Sequence, residues 1–239
     1  MSTLRRWFVL LFVGLAAPAS ALDDCILDKC QDKAPPVAAP AQRPPPTPSG
    51  VASGNFDFYV LALSWSPGFC ESATRSGTQC EPGANLGFVV HGLWPQYERG
   101  FPSNCGGAQF PSSLALERAK GVYPDLGLAR YEWRKHGTCT GRSPGDYFDD
   151  VARAKAAVAT PQDLNKLTSD RTLDSAEVER AFLEANPRLR PGMLSVGCER
   201  GVLQEVRICL SKDLREFRAC PEVARRGCHA RQIRVPAPY

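Results

Sequence analysis

The chain opens on an unbroken apolar run, Trp7 to Ala17, and no later stretch repeats it. From Phe56 to Trp65 the residues are β-branched and aromatic, and apolar at odd and even positions alike. That predicts a central strand buried on both faces. Ser66-Pro67-Gly68 breaks it. Leu86–His91 reads as a second buried strand with His91 at its end, followed by a loop from Gly92 through Tyr97 towards Cys105. Near the C-terminus, Leu203–Leu210 alternates with Val206, Ile208 and Leu210 on one face, so it reads as a strand. Gln232–Val235 is short enough to be a last one.

Between these strands the spacing changes to that of helices. Pro111–Lys120 has helical character, Gly121–Gly127 interrupts it, and a helix carrying Glu132 follows. Ser143-Pro144 pairs a capping side chain with proline at the first helical position, ahead of an apolar stripe of Tyr147, Phe148 and Val151. Thr160-Pro161 repeats that signal for a shorter helix. Asp174–Ala185 places Val178, Ala181, Phe182 and Ala185 on one face, and Pro187 stops it. Helices grouped in the middle, rather than alternating with strands, predict an α+β fold with a mostly antiparallel central sheet flanked by helices. The expected single domain runs over residues 54–239.

The segment before it changes the picture of where the protein works. Residues 1–21 read as a signal peptide, with Arg5 and Arg6 first, then the apolar run, then a small-residue exit at Ala19-Ser20-Ala21. Residues 22–53 form a linker rich in proline with almost nothing to bury, expected to hold no fixed structure. Export explains the cysteines: ten in an exported chain read as a disulfide framework, and Cys25 and Cys30 are near enough to close a small loop. The protein is therefore expected to be secreted, or periplasmic in a Gram-negative bacterium, without a membrane anchor. The formal net charge of +4 falls by two with Arg5 and Arg6, too little to argue for nucleic acid by itself. Arginines crowd the C-terminal part, among them Arg207, Arg215, Arg218, Arg225 and Arg226. That pattern suits a solvated surface as well as a polyanion.

Candidate chemistry rests on few residues, since the chain has three histidines. His229 follows Cys228 in a basic tail and reads as a surface residue. His136 belongs to Glu132-Trp133-Arg134-Lys135-His136-Gly137, where helical spacing puts a carboxylate, an ammonium and an imidazole on one face. Trp133 anchors the opposite side and Gly137 ends the helix. A surface helix with an ion pair fits that spacing equally well. What favours chemistry is the second imidazole, His91. Two histidines supply what a phosphodiester-cleaving site needs without a metal, a base for the nucleophile and an acid for the leaving oxygen. Lys135 can stabilise charge growing on phosphate oxygens, and Glu132 can orient its neighbours.

His91-Gly92-Leu93-Trp94-Pro95 and Glu132-Trp133-Arg134-Lys135-His136-Gly137-Thr138-Cys139 resemble the two active-site segments of the ribonuclease T2 family. Phe56-Asp57-Phe58-Tyr59, Trp65 through Cys70 and Leu203 through Cys209 extend the likeness over essentially the whole domain. The resemblance implies endonucleolytic RNA cleavage through a 2′,3′-cyclic phosphate, without cofactor or metal. By the same resemblance His136 is the base on the ribose 2′-OH and His91 the acid on the 5′-oxygen. Glu132 and Lys135 would steady the crowded phosphorus. Many members have histidine where this chain has Tyr131, a position thought to help bind phosphate. Tyr131 can donate one hydrogen bond but carries no charge, so a weaker phosphate grip is expected. Trp94 and Tyr97, beside His91, are candidates for stacking on a base, with a core anchor as the other reading of Trp94. The family also implies the bridges Cys70–Cys80, Cys105–Cys139, Cys198–Cys228 and Cys209–Cys220. RNA is then the expected partner, and the protein a monomer needing no other chain.

Two other readings stand beside this one. A metallohydrolase could use His91, His136 and Glu132 as ligands, though Glu132 and His136 do not form an HExxH motif and Lys135 would set a cation beside the metal. A secreted binding or toxin-like protein could keep the fold without catalysis.

Overall fold

The computed structural model describes residues 53–73 and 77–239. The expected signal peptide, the Cys25–Cys30 loop and nearly all of the proline-rich linker lie outside the described residues. In chain order the elements are β1 (Phe58–Trp65), α1 (Ser66–Ser72), β2 (Phe88–Gln96), α2 (Ser113–Glu117), α3 (Leu126–Lys135), α4 (Pro144–Ala156), α5 (Gln162–Asn165), β3 (Arg171–Leu173), α6 (Ser175–Ala185), β4 (Leu194–Glu199), β5 (Val202–Ser211), α7 (Pro221–Arg225) and β6 (Ile233–Val235).

The strands form one sheet in the order β2-β1-β5-β6-β3, with β4 also paired to β5. All the pairings are antiparallel except β5 with β6, which meet in parallel at Val202 and Arg234. The expected α+β class and mostly antiparallel sheet are therefore observed.

Strand β1 is buried along its whole length, for two different reasons. Tyr59, Leu61, Leu63 and Trp65 face the main core. There they meet Leu93 of β2, Val206 and Ile208 of β5, Trp133 of α3, Tyr147, Phe148 and Val151 of α4, and Phe182 of α6. Phe58 and Val60 face the other way, into a small cluster with Cys209, Cys220 and Val223. Beyond them on that second face stand Ala62 and Ser64, paired with Arg207 and Glu205 of β5. Helices thus cover one face of the sheet, and much of the other is left to long polar side chains.

The helix starts follow the expected chemistry. Ser143 caps α4 by accepting from the Asp146 N–H at 3.2 Å, with Pro144 next, and Asp174 and Glu177 form a capping box on α6. Asp125 caps α3 by accepting from the Leu128 N–H at 2.8 Å.

Three expectations need correction. Strand β2 does not end at His91 but runs on to Gln96, through Pro95. Proline is tolerated because, among the described residues, β2 is an edge strand with a ladder on one side only. Gly137 does not close α3 in the left-handed conformation. The chain tightens there into a 3-10 turn, Gly137–Cys139, and the glycine is needed because a Cβ would stand 2.3 Å from the Trp133 ring. Ser66-Pro67-Gly68 does not merely break β1 but begins α1.

The four bridges implied by the resemblance, Cys70–Cys80, Cys105–Cys139, Cys198–Cys228 and Cys209–Cys220, are all formed. Cys105–Cys139 ties the loop before α2 to the turn after α3. Cys209–Cys220 fastens the start of α7 to β5, and Cys198–Cys228 fastens the segment after α7 to β4. At the start of the described residues the chain is tied to the turn after α3. Ser53 donates to the Thr138 carbonyl at 2.8 Å, and the Gly54 N–H to the Cys139 carbonyl at 2.9 Å.

Helix α1 lies on β5 closely enough that a Cβ on Gly68 would stand 1.8 Å from the backbone oxygen of Leu203. Backbone on both sides leaves no flexible atom to yield. Gly68→Ala is therefore expected to destabilise the fold by about 1–3 kcal/mol, as overpacking does. Urea denaturation of the two proteins measures it, and an unchanged midpoint would show that α1 can lift away from β5.

Candidate active site

The site begins with an irregularity in the β1–β2 ladder. Leu63 pairs with Val90 and Ala62 with Gly92, so His91 is an extra residue without a partner on β1. Such a bulge turns a side chain that would otherwise follow strict alternation. Gly92 follows it for a separate reason: a Cβ there would lie 2.0 Å from Glu132 Oε2 and 2.5 Å from Trp94 Nε1. Only glycine leaves room for the bond between those two atoms. Trp94 Nε1 donates to Glu132 Oε2 at 2.7 Å and so joins the edge strand to α3.

Glu132 is 1% exposed. Its Oε1 lies 3.6 Å from His91 Nε2 and has no hydrogen-bond partner among the described residues. Burial raises its pKa, against the opposing pull of His91, the Trp94 hydrogen bond and Lys135. His136 follows the last turn of α3, its N–H bonded to the Glu132 carbonyl at 2.9 Å. Its ring stacks on Trp94, centroids 5.3 Å apart and planes 30° apart, and is 3% exposed. Burial, then the positive charges of Lys135 and His91, push its pKa down to about 3. The carboxylate expected beside His136 in fact faces His91. The helix turn does bring the two residues together, but the Glu132 side chain is spent on Trp94 and the β2 side.

His91 is electrostatically the opposite of His136. Burial acts to lower its pKa, but the hydrogen bond it donates to Glu205 and the charges of Glu132 and Glu205 outweigh that, and the net shift is upward. Its Nδ1 lies 3.3 Å from Glu205 Oε2. A cleft of about 440 Å³ is lined by His91, Trp94, Lys135, His136, Arg207 and Arg226 among others. A second cleft, of about 660 Å³, shares His91, Glu205, Arg207 and Arg226 and extends to Phe69 and Ser195.

The residues singled out from the sequence thus meet at one place. Lys135 lies at the cleft wall with its ammonium 5.3 Å from the Tyr131 ring, and Tyr131 stands at the rim, 43% exposed. Tyr97 lines the cleft while packing against the core. Trp94 combines both of its readings: its indole nitrogen is tied inward, and its ring faces His136 and the Arg207 guanidinium. His229 is exposed, with Nε2 3.2 Å from the Arg225 carbonyl, and is not among the residues lining these two clefts. The sequence reading missed Phe101, Glu205, Arg207 and Arg226 as part of the site. Glu205 was signalled only by standing on the polar side of an alternating strand, and Arg207 and Arg226 only by belonging to the C-terminal arginine cluster.

The family model described as the ribonuclease T2 family matches residues 56–220. A ribonuclease of Aeromonas hydrophila is 35% identical over 71% of this chain and 79% of its own length. A probable ribonuclease of Haemophilus influenzae is 32% identical over 67% of this chain and 60% of its own. Among solved structures, an RNase-related protein from Calystegia sepium superposes with a TM-score of 0.60 at 24% identity. The match covers 77% of this chain and 98% of that one, a likeness of fold. With a family match over most of the chain and relatives of this similarity, the chain belongs to the ribonuclease T2 family of endoribonucleases.

Proposed function

We propose that this protein is a secreted endoribonuclease that cuts RNA by transesterification without a metal, His136 acting as general base and His91 as general acid. The observation that carries the reading is the electrostatic contrast between two imidazoles on one cleft. His136, dry and beside Lys135, stays neutral and ready to accept a proton. His91, between two carboxylates, holds its proton. Groups whose surroundings push their pKa values apart sort into base and acid.

In the first step His136 takes the proton of the ribose 2′-OH as the 2′-oxygen bonds to phosphorus. The bond from phosphorus to the 5′-oxygen breaks, and His91 gives that oxygen its proton. A 2′,3′-cyclic phosphate results. In the second step the roles reverse. His91 takes a proton from water, water oxygen bonds to phosphorus, the bond to the 2′-oxygen breaks, and His136 returns its proton to it, leaving a 3′-phosphate. The nucleophile is held next to the phosphorus by the substrate itself, so the attack is intramolecular. Lys135 stabilises the charge that grows on the phosphate oxygens. Glu132, tied by Trp94, holds its free oxygen towards His91. Tyr131 at the rim supplies a neutral donor for a phosphate oxygen, and Trp94 and Tyr97 offer ring faces to a base. Four disulfides among the described residues suit an oxidising compartment, as secretion requires.

Replacing His91 or His136 by alanine is expected to lower kcat/KM on RNA by about 10²–10⁴-fold each. His229→Ala should cut RNA at the wild-type rate. Steady-state assays, with circular dichroism as the check on folding, test this. A severe loss in His229→Ala, with His91→Ala unaffected, would reverse the assignment.

The same pKa directions set the pH profile. Activity needs neutral His136, so on the acid side it should persist well below the ordinary histidine value of 6.5, towards about 3. Activity needs protonated His91, so on the alkaline side it should fall only as pH rises through a pKa above 6.5. A plot of log kcat/KM against pH is expected to be a bell displaced in this way. An acid limb centred near 6.5 would contradict the neutral base.

Matched RNA and DNA oligonucleotides, each with and without EDTA, separate this mechanism from its rivals. RNA alone should be cut, at a rate EDTA does not change, with cyclic and then 3′-phosphate ends seen by mass spectrometry. A metal-bound water would attack either sugar and would fail in EDTA. A binding protein of the same fold would cut neither.

A further inference from the structure

Strands β2 and β5 are separated by β1, yet His91 and Glu205 touch. The contact exists because β1 presents only small side chains between them, Ala62 and Ser64, with Ser64 paired directly to Glu205. On the other side of Glu205, Gly197 of β4 leaves space; a Cβ there would stand 3.0 Å from Glu205 Cγ. The carboxylate lies in a trough of small residues, 13% exposed. Arg207, two residues on along the same face of β5, occupies one of its oxygens twice, with Nε at 2.8 Å and Nη2 at 2.5 Å from Oε1. The other oxygen, Oε2, is left for His91 Nδ1 at 3.3 Å.

We propose that Glu205, clamped by Arg207, is a positioning residue that holds the Nδ1–H of His91 and so leaves Nε2, on the Glu132 side, as the proton-donating atom. The proposal rests on the reading of His91 as the general acid. Once Nδ1–H donates to Glu205, the ring can neither rotate nor exchange its tautomer freely. Nε2 then faces Glu132 at 3.6 Å, and Lys135 and His136 line one cleft with His91. When Nε2 gives its proton to the 5′-oxygen, the neutral imidazole keeps its Nδ1–H and its place. It is then oriented to take a proton from water in the second step. The charged and titratable groups around His91 are Glu205 and Arg207 from β5, Glu132 and Lys135 from α3, His136 after it and Arg226 beyond α7, with Glu199 of β4 and Glu222 of α7 further along the two clefts. Of these, only Glu205 hydrogen-bonds Nδ1.

The test is the pair Glu205→Gln and Glu205→Asp in the full chain. Glutamine keeps the size and can still accept from Nδ1, but it has no charge. Aspartate keeps the charge on a shorter arm. With three histidines in the chain, the His91 ring can be followed by NMR titration, which needs no activity. Its pKa is expected to fall by about 1–3 pH units in Glu205→Gln, the size of a lost neighbouring charge. It should remain near the wild-type value in Glu205→Asp. The alkaline limb of kcat/KM should move down with it. Cleavage of a dinucleoside phosphate should suffer far more than that of a nucleoside 3′-(4-nitrophenyl phosphate), because a nitrophenolate leaves without needing a proton. A purely structural role for Glu205 would lower both substrates together. That result, or an unchanged His91 pKa in folded Glu205→Gln, would overturn the proposal. Should Glu205→Gln fail to fold, an unchanged alkaline limb in Glu205→Asp supports it, and a limb displaced to low pH counts against it. Full activity in His91→Ala would instead remove the underlying reading, an outcome seen without any substitution at Glu205.

Discussion

The hydrogen bond from the Trp94 indole to the Glu132 carboxylate, at 2.7 Å, is the constraint on which the cleft depends. It joins two elements that meet only through tertiary packing, the edge strand β2 and the helix α3. A hydrogen bond to a charged and buried acceptor is among the stronger ones, and leaving such an acceptor unpaired is costly. The bond needs Gly92 beneath it, because any side chain at that position would fill its place. With both ends fixed, the Trp94 ring becomes a wall against which His136 stacks, and the other carboxylate oxygen is aimed at His91. Trp133, buried on the far side of α3 and bonded to the Ala108 carbonyl at 2.7 Å, keeps the helix from turning. The Cys105–Cys139 bridge holds its end.

The two imidazoles differ because their surroundings differ in water and charge rather than in chemistry. His136 lies on the dry side, between an indole and the base of a lysine. His91 lies where three strands bring polar side chains together on the face opposite the main core. The sheet supplies this asymmetry: one face is consumed by the core, and the other keeps the carboxylates.

What could be read along the chain was whatever lies within a few consecutive residues. The strand of Phe56–Trp65, the capped helices after Ser143 and Asp174, and the spacing of Glu132, Lys135 and His136 are local patterns, and they appear in the fold close to where they were expected. Glu205 was not legible, because its meaning depends on a neighbour two strands away. On β5 it is simply the polar member of an alternating run whose apolar members, Val206 and Ile208, fill the core. Only the smallness of Ala62 and Ser64 turns it towards His91. Nor does the bulge at His91 announce itself, since one residue without a partner is visible only against the opposite strand. Strand β4 and helix α7 are short, and their apolar residues make no periodic signal. They are held by pairing and by disulfides. Pro95 is hard to read as a strand residue for a physical reason: a proline within a strand argues against a strand, unless the strand is an edge.

That edge has a further consequence. A strand with one open side displays unpaired donors and acceptors, and these can recruit an extended segment of another molecule. Strand β2 carries His91 and Trp94 and is such a strand. Pro95 puts a residue with no N–H into it, and the bulge at His91 bends it out of a flat ladder. The features that shape the cleft therefore also make this edge a poor template for strand addition. Association through the strand that carries His91 and Trp94 is thereby discouraged.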